Sequence, residues 1–186
     1  MKPGFMSGDY LINLDSEDEG QLFVSCAGGV RTEATYTVEE VQLPEGFSTF
    51  NFVVKGLTGG HSGDDINKNR ANANKLLVRF LLEQCEKTDL RLCDIQAGGL
   101  HNAIPREAHA TVAVPTAYAA TFVTELEAFV AKVREEFSAT EPDLTAALEA
   151  ADAASTCICP EQAVRMLKSL SVVHNGIFAM SQDLEG

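Results

Sequence analysis

The residues of this sequence best suited to chemistry sit in two glycine-marked stretches and one cluster of acids. The first stretch is Gly56-Leu57-Thr58-Gly59-Gly60-His61-Ser62-Gly63. Four glycines around one imidazole let backbone N–H groups and His61 come close to a ligand, because glycine puts no Cβ in the way. The second is Gly98-Gly99-Leu100-His101-Asn102-Ala103-Ile104-Pro105-Arg106-Glu107-Ala108. The Asn102 amide offers both donors and an acceptor to a carboxylate or peptide group, and it is equally suited to shaping a turn between two strands. The acids are Asp15-Ser16-Glu17-Asp18-Glu19-Gly20, directly after the apolar run Tyr10 to Leu14. Such a cluster is either a solvated turn or a metal-binding strand end.

The other candidates are weaker. His101, His109 and His174 have no partner at ligand spacing and are read as structural. Arg106 is a strand-edge charge or a support for the site, and both readings stay open. Five cysteines, Cys26, Cys85, Cys93, Cys157 and Cys159, are odd in number and scattered, which reads as reduced thiols. Cys157-Ile158-Cys159 lacks two further ligands at zinc-site spacing. The net charge of −13 opposes a nucleic-acid partner, which needs a basic face to displace counterions. No apolar run approaches the ~20 residues of a membrane helix, and Met1 to Gly8 has no apolar core like a signal peptide. A cytoplasmic location is the expectation.

The elements that must position these residues follow from periodicity. Tyr10 to Leu14 reads as a short buried strand, and Gln21 to Ala27 as a second apolar stretch. Phe50, Phe52 and Val54 alternate as in a half-buried strand. His61-Ser62-Gly63-Asp64-Asp65 resembles a helix start, predicting a helix from there to about Glu86 with Ile66, Ala73, Leu76, Leu77 and Phe80 on one stripe. A strand follows near Leu90 to Ala97 and another from Arg106 to Val114. A helix then carries Phe122, Leu126, Phe129, Val130, Val133 and Phe137, and Leu144 to Ala151 forms a last strand. Pro160 opens a third helix, with Val164, Leu167, Leu170 and Val173 along one side, and Asn175-Gly176 marks a turn. From Phe47 to Ala151 the order is strand, helix, strand, strand, helix, strand. This predicts an α+β, ferredoxin-like two-layer sandwich, an antiparallel sheet with helices on one face, plus an extra C-terminal helix. That fold serves many functions, so it decides none.

In combination, Gly-Gly-His-Ser-Gly, Asn72-Ala73-Asn74-Lys75-Leu76-Leu77-Val78-Arg79-Phe80-Leu81 and Asn102-Ala103-Ile104-Pro105-Arg106-Glu107-Ala108 resemble the aminoacyl-histidine dipeptidases. These Xaa-His, or carnosinase-type peptidase D, enzymes belong to the di-zinc metallopeptidases that also include carboxypeptidase G2-like enzymes and aminoacylases. Leu14 to Gly20 resembles that family's Asp-Ser-Glu-Glu-Gly stretch. The resemblance runs from Asp15 to Gly186 and covers the family's lid, or dimerisation, domain with a short piece of its catalytic domain. It implies a domain division of 1–46, catalytic-domain remnant and connector, and 47–186, lid. It also implies a homodimer and a dipeptide substrate, with the remaining catalytic domain of the same chain as a partner.

Three roles carry over by position. Asp15 matches a carboxylate ligand of one of two zinc ions. His61 matches the lid histidine that stabilises the oxyanion of the tetrahedral intermediate once a zinc-activated water has attacked the peptide carbonyl. Asn102 matches a substrate-positioning asparagine. The family's other metal ligands and its catalytic carboxylate lie upstream of the matched segment, with a last histidine downstream. With 14 residues before Asp15, the expectation is that this chain alone holds no zinc and is inactive. A stand-alone ferredoxin-like module, binding a small molecule or dimerising, is the alternative.

Overall fold

The computed structural model describes residues 3–5, 7–14, 19–22, 28–180 and 182. The chain divides into two compact units, 1–35 and 36–186. In the first, the described residues form neither helix nor strand. Tyr10, Leu11, Ile12 and Leu14 are all exposed, so the strand expected at Tyr10 to Leu14 is absent. An apolar run becomes a strand only where a neighbour takes up its N–H and C=O groups, and no such ladder forms among the described residues here. Asp15, and most of the stretch Gln21 to Ala27, lie outside the described residues.

The second unit contains β1 (Glu40–Gln42), β2 (Phe47–Lys55), β3 (Gly60–His61), α1 (Ala73–Lys87), β4 (Arg91–Ala97), β5 (Ala103–Ile104), β6 (Ala108–Pro115), α2 (Ala119–Glu136), β7 (Thr145–Ala150), β8 (Thr156–Ile158) and α3 (Pro160–Val172). Strands β4-β6-β2-β7 make one four-stranded sheet, antiparallel at every pairing. That order, with α1 after β2 and α2 after β6, is the ferredoxin-like arrangement. Two short ladders, β1–β8 and β3–β5, were not anticipated from periodicity, because two or three residues carry no readable period.

The pleat sorts the sheet into two faces. Phe52 lies opposite Ala110 on one side and Leu148 on the other, and Val54 lies opposite Ala108 and Ala146. These residues form the core with the helices. One step along, Asn51 faces Thr111 and Glu149, and the Thr111 hydroxyl donates to Asn51 Oδ1 at 3.0 Å. In β4 the register shifts between Leu92 and Asp94. The extra residue at Cys93 keeps both Leu92 and Ile95 opposite core positions of β6, Val112 and Ala110.

The centre of the core is aromatic. Phe80 of α1 meets Phe52 of β2 at 4.9 Å between ring centroids, and meets Phe129 at 5.1 Å and Phe122 at 5.5 Å, both on α2. Around it α1 buries Ala73, Leu76, Leu77 and Leu81, and α2 buries Phe122, Leu126, Phe129 and Val133. The α2 stripe is the predicted one, with Val130 and Phe137 half-buried against the core. On α3 the buried face turns out to be Ala163 and Leu167, while Leu170 and Val173 are exposed. The α3 end is instead tied by Lys75, whose ammonium donates to the carbonyls of Leu170 (2.9 Å), Ser171 (3.0 Å) and Val173. A cation there complements the negative helix terminus.

The first helix starts later than its sequence suggests. Residues 62–72 form turns and one 3-10 turn, Ile66–Lys68, ended by Asn69 at φ 51°. A left-handed residue stops helix propagation, so Ile66 lies outside the helix. The true N-cap is Asn72, whose side chain accepts from the N–H groups of Asn74 (3.0 Å) and Lys75 (3.3 Å). Cys85, Cys93, Cys157 and Cys159 are free thiols. Burial, aided by the charge of Glu86, pushes Cys85 up to about 11. Burial does the same for Cys93, with smaller contributions from Cys157 and Asp94. Thiols raised that far are poor nucleophiles.

Candidate functional site

Strand β2 ends at Lys55, and the chain then passes through the glycine stretch into β3. The β3–β5 ladder pairs Gly60 with Ile104 and His61 with Ala103. Beyond it the Ser62 N–H donates to the Asn102 carbonyl at 3.0 Å. Two motifs far apart in sequence are thus joined edge to edge, and His61 and Asn102 stand on adjoining backbone. Both are exposed.

Two of the glycines are required by close packing. At Gly59 (φ +63°) a Cβ would collide with the aliphatic stem of Arg106, and at Gly60 (φ +138°) with the Arg70 guanidinium and the Asp65 carboxylate. Arg106 Nε donates to the Leu57 carbonyl at 2.9 Å, which makes it a support for this loop. Arg70 donates to the Gly59 carbonyl and pairs with Asp65 at 3.1 Å. Asp65 Oδ2 also accepts from the His61 N–H at 2.8 Å.

The imidazole itself is oriented by backbone. The N–H groups of Gly63 and Asp64 each donate to His61 Nδ1 at 3.2 Å. An imidazole nitrogen that accepts carries no proton, so the neutral ring bears its proton on Nε2. Asp64 Oδ2 lies 3.4 Å from the same Nδ1 and would pair with it only in the imidazolium form. The His61 side chain is 46% exposed, so Nε2–H is left to donate outward from a fixed ring.

The Asp65 carboxyl is lowered from 3.8 to about 2, first by its hydrogen bond from Lys68, then by the His61 N–H, with Arg70 adding to both against partial burial. A depressed folded-state value means the clamp contributes in full above the ordinary 3.8 and is lost as pH falls through about 2. We expect the Lys68 amide resonance to hold steady down to about pH 4 and to move as pH falls from there through about 2. In Asp65→Asn that transition should vanish. A Lys68 amide shift unmoved to pH 2 in the unsubstituted chain would show that Asp65 does not hold the loop.

Of the remaining sequence candidates, His109 sits exposed on the polar face of the sheet and His101 in the turn before β5. His174 stacks edge-on against Phe178 at 5.4 Å and approaches the Gly176 carbonyl at 3.1 Å. None joins His61. Among the described residues no group of three His, Cys, Asp or Glu side chains is placed to hold a metal ion, and Asp15 lies outside them. The described part of the chain does not by itself fit a zinc centre. No helix among the described residues is long and apolar enough to cross a membrane.

Residues missed from sequence are Asp65, Arg70 and Glu141, which hold the loop, and Asn72, which caps α1. Asn72, just before an apolar run, carried a readable capping signal. Glu141 carried none, because its partners are 70 and 83 residues away in sequence.

Residues 46–141, about half of the chain, match the family model of the peptidase dimerisation domain, M20_dimer. The cytosol non-specific dipeptidase of Escherichia coli (strain K12) is 35% identical over 186 residues, covering all of this chain and 38% of that protein. The crystal structure of aminoacylhistidine dipeptidase from Vibrio alginolyticus superposes with a TM-score of 0.78 at 34% identity, over 81% of this chain and 31% of that one. The chain therefore spans well under half the length of these relatives. Sequence match and shared fold agree, and the chain belongs to the M20 peptidase dimerisation-domain family.

Proposed function

We propose that this chain is the lid of a zinc-dependent dipeptidase that cleaves Xaa-His dipeptides. His61 donates its Nε2–H to the oxyanion of the tetrahedral intermediate, and Asn102 orients the substrate beside it. The observation that carries this reading is the capture of His61 Nδ1 by two backbone N–H groups at 3.2 Å. Such a ring is pre-set as a donor, and a donor that need not reorganise during reaction stabilises developing charge best. In this reading 47–186 is the lid and 1–46 the catalytic-domain remnant and connector, with β1 fastened to the lid through β8. The full-length enzyme holds two zinc ions outside the described residues, Asp15 being one carboxylate ligand.

A homodimer and a cytosolic location complete the proposal. The family is named for dimerisation, and the E. coli relative is named as cytosolic. Strand β7 lies at the edge of the sheet. Beside it a groove of about 660 Å³ runs against α2, lined by Phe50, Val123, Val130 and Leu148 among others. An open strand edge next to an apolar groove is a natural seat for a second copy.

The two named relatives differ in stated specificity, so the substrate is the point to test. We expect full-length enzyme with zinc to hydrolyse β-alanyl-histidine and Gly-His with a kcat/KM about tenfold or more above matched dipeptides lacking the histidine, the effect of one good hydrogen bond to the ring. Equal rates on all would make it a general dipeptidase. No hydrolysis would favour the stand-alone module.

A further inference from the structure

We infer that Glu141 is a positioning residue for His61, an inference that rests on reading His61 as the oxyanion donor. Glu141 is one of two buried polar or charged residues among those described, at 3% exposure. It lies just after α2. Its Oε2 accepts from the Thr58 N–H at 2.6 Å and its Oε1 from the Ala71 N–H at 2.8 Å. Residues 58 and 71 are the two stems of the loop that carries His61. One carboxylate therefore closes that loop at its base.

The neighbouring Thr140 repeats the tie. Its carbonyl accepts from the Thr58 hydroxyl at 2.8 Å, and its own hydroxyl donates to the Asn69 carbonyl at 3.1 Å. The chemistry explains the residue type. Two converging N–H groups need two acceptor oxygens, which a carboxylate has and an amide lacks. A glutamine here would present an NH₂ to one of the N–H groups and leave a buried donor unmet. With the stems untied from Glu141, the β3–β5 pairing and the Asp65, Arg70 and Arg106 contacts would still shape the loop, but its base would lose the one buried group that holds both stems at once. A catalytic group displaced by about 1 Å loses up to about 10²-fold in rate.

The test is a four-member cycle in full-length enzyme: unsubstituted, Glu141→Gln, His61→Ala and the double variant. We expect Glu141→Gln to lower kcat by about 10- to 10²-fold with little change in KM. In the double variant kcat should equal that of His61→Ala alone, because placing an absent imidazole has no effect. If Glu141→Gln lowers kcat by the same factor in both backgrounds, it acts on stability alone and the inference is overturned. The second readout is the imidazole ¹⁵N spectrum of His61 in the 186-residue chain. Glu141→Gln should blur its single tautomer; an unchanged spectrum overturns the inference whatever the kinetics. If His61→Ala keeps full kcat while Glu141→Gln still alters the spectrum, the oxyanion reading fails and the loop tie stands. Thr140→Val, at an exposed tie, carries the same cycle with a smaller loss should Glu141→Gln not fold.

Discussion

Replacing His61 with alanine in the full-length enzyme should lower kcat by about 10²–10³, the usual loss for one oxyanion-hole donor. Because the hydrogen bond forms only as charge develops on the carbonyl oxygen, kcat and kcat/KM should fall together and KM should stay close to its original value. Folding should be little affected. The side chain is 46% exposed, and the Gly63 and Asp64 N–H groups that it frees are exposed and can turn to water. The comparison is made by steady-state kinetics on β-alanyl-histidine with zinc in excess. A rise in KM at constant kcat would make His61 a ground-state binding residue. Full activity would remove it from the chemistry altogether, and with it the main support for a catalytic lid.

The second large effect is on stability. Phe80→Ala should destabilise the 36–186 unit by about 3–5 kcal/mol, the range for removing a buried phenylalanine. Phe80 is 0% exposed and lies within 5.5 Å of three other rings, Phe52, Phe122 and Phe129. The four rings come from three elements, β2 and α2 being joined to α1 through Phe80. The cavity left by the ring has rigid neighbours on the sheet side, so it collapses poorly. Urea unfolding followed by circular dichroism measures the change. A loss below about 1 kcal/mol would mean that the four rings repack freely and do not hold the two layers together. The same variant in the full-length enzyme tests whether lid stability and catalysis separate, since Phe80 has no contact with the His61 loop in the hydrogen-bond network described above.

Much of the fold is legible in the chain because burial imposes a local period. Phe50, Phe52 and Val54 on one strand, and Ala108, Ala110, Val112 and Val114 on another, alternate because one face of each pleated strand packs into the core. Phe122, Leu126, Phe129 and Val133 recur at helical spacing because one stripe of α2 faces the sheet. Pro160 marks the first turn of α3 because its missing N–H is not needed there. The glycines around His61 also announce themselves, and the structure shows the packing at Gly59 and Gly60 that excludes any side chain.

The remainder depends on contacts between residues distant in sequence, which leave no local pattern. Asp64, Asp65 and Gly63 look like the opening of a helix, yet the Asp65 carboxylate is drawn to Arg70 and to the His61 N–H, and the helix waits for Asn72. The apolar run Tyr10 to Leu14 has strand composition, but composition supplies no partner edge. Nothing near Glu141 indicates that its two oxygens close a loop 70 residues earlier, and nothing near Asn102 says that its carbonyl meets the Ser62 N–H. The residue types at the candidate site are thus properties of the sequence. Their arrangement, one imidazole with a single tautomer on a loop tied at both stems, arises only when β3 meets β5 and the end of α2 folds back beneath them.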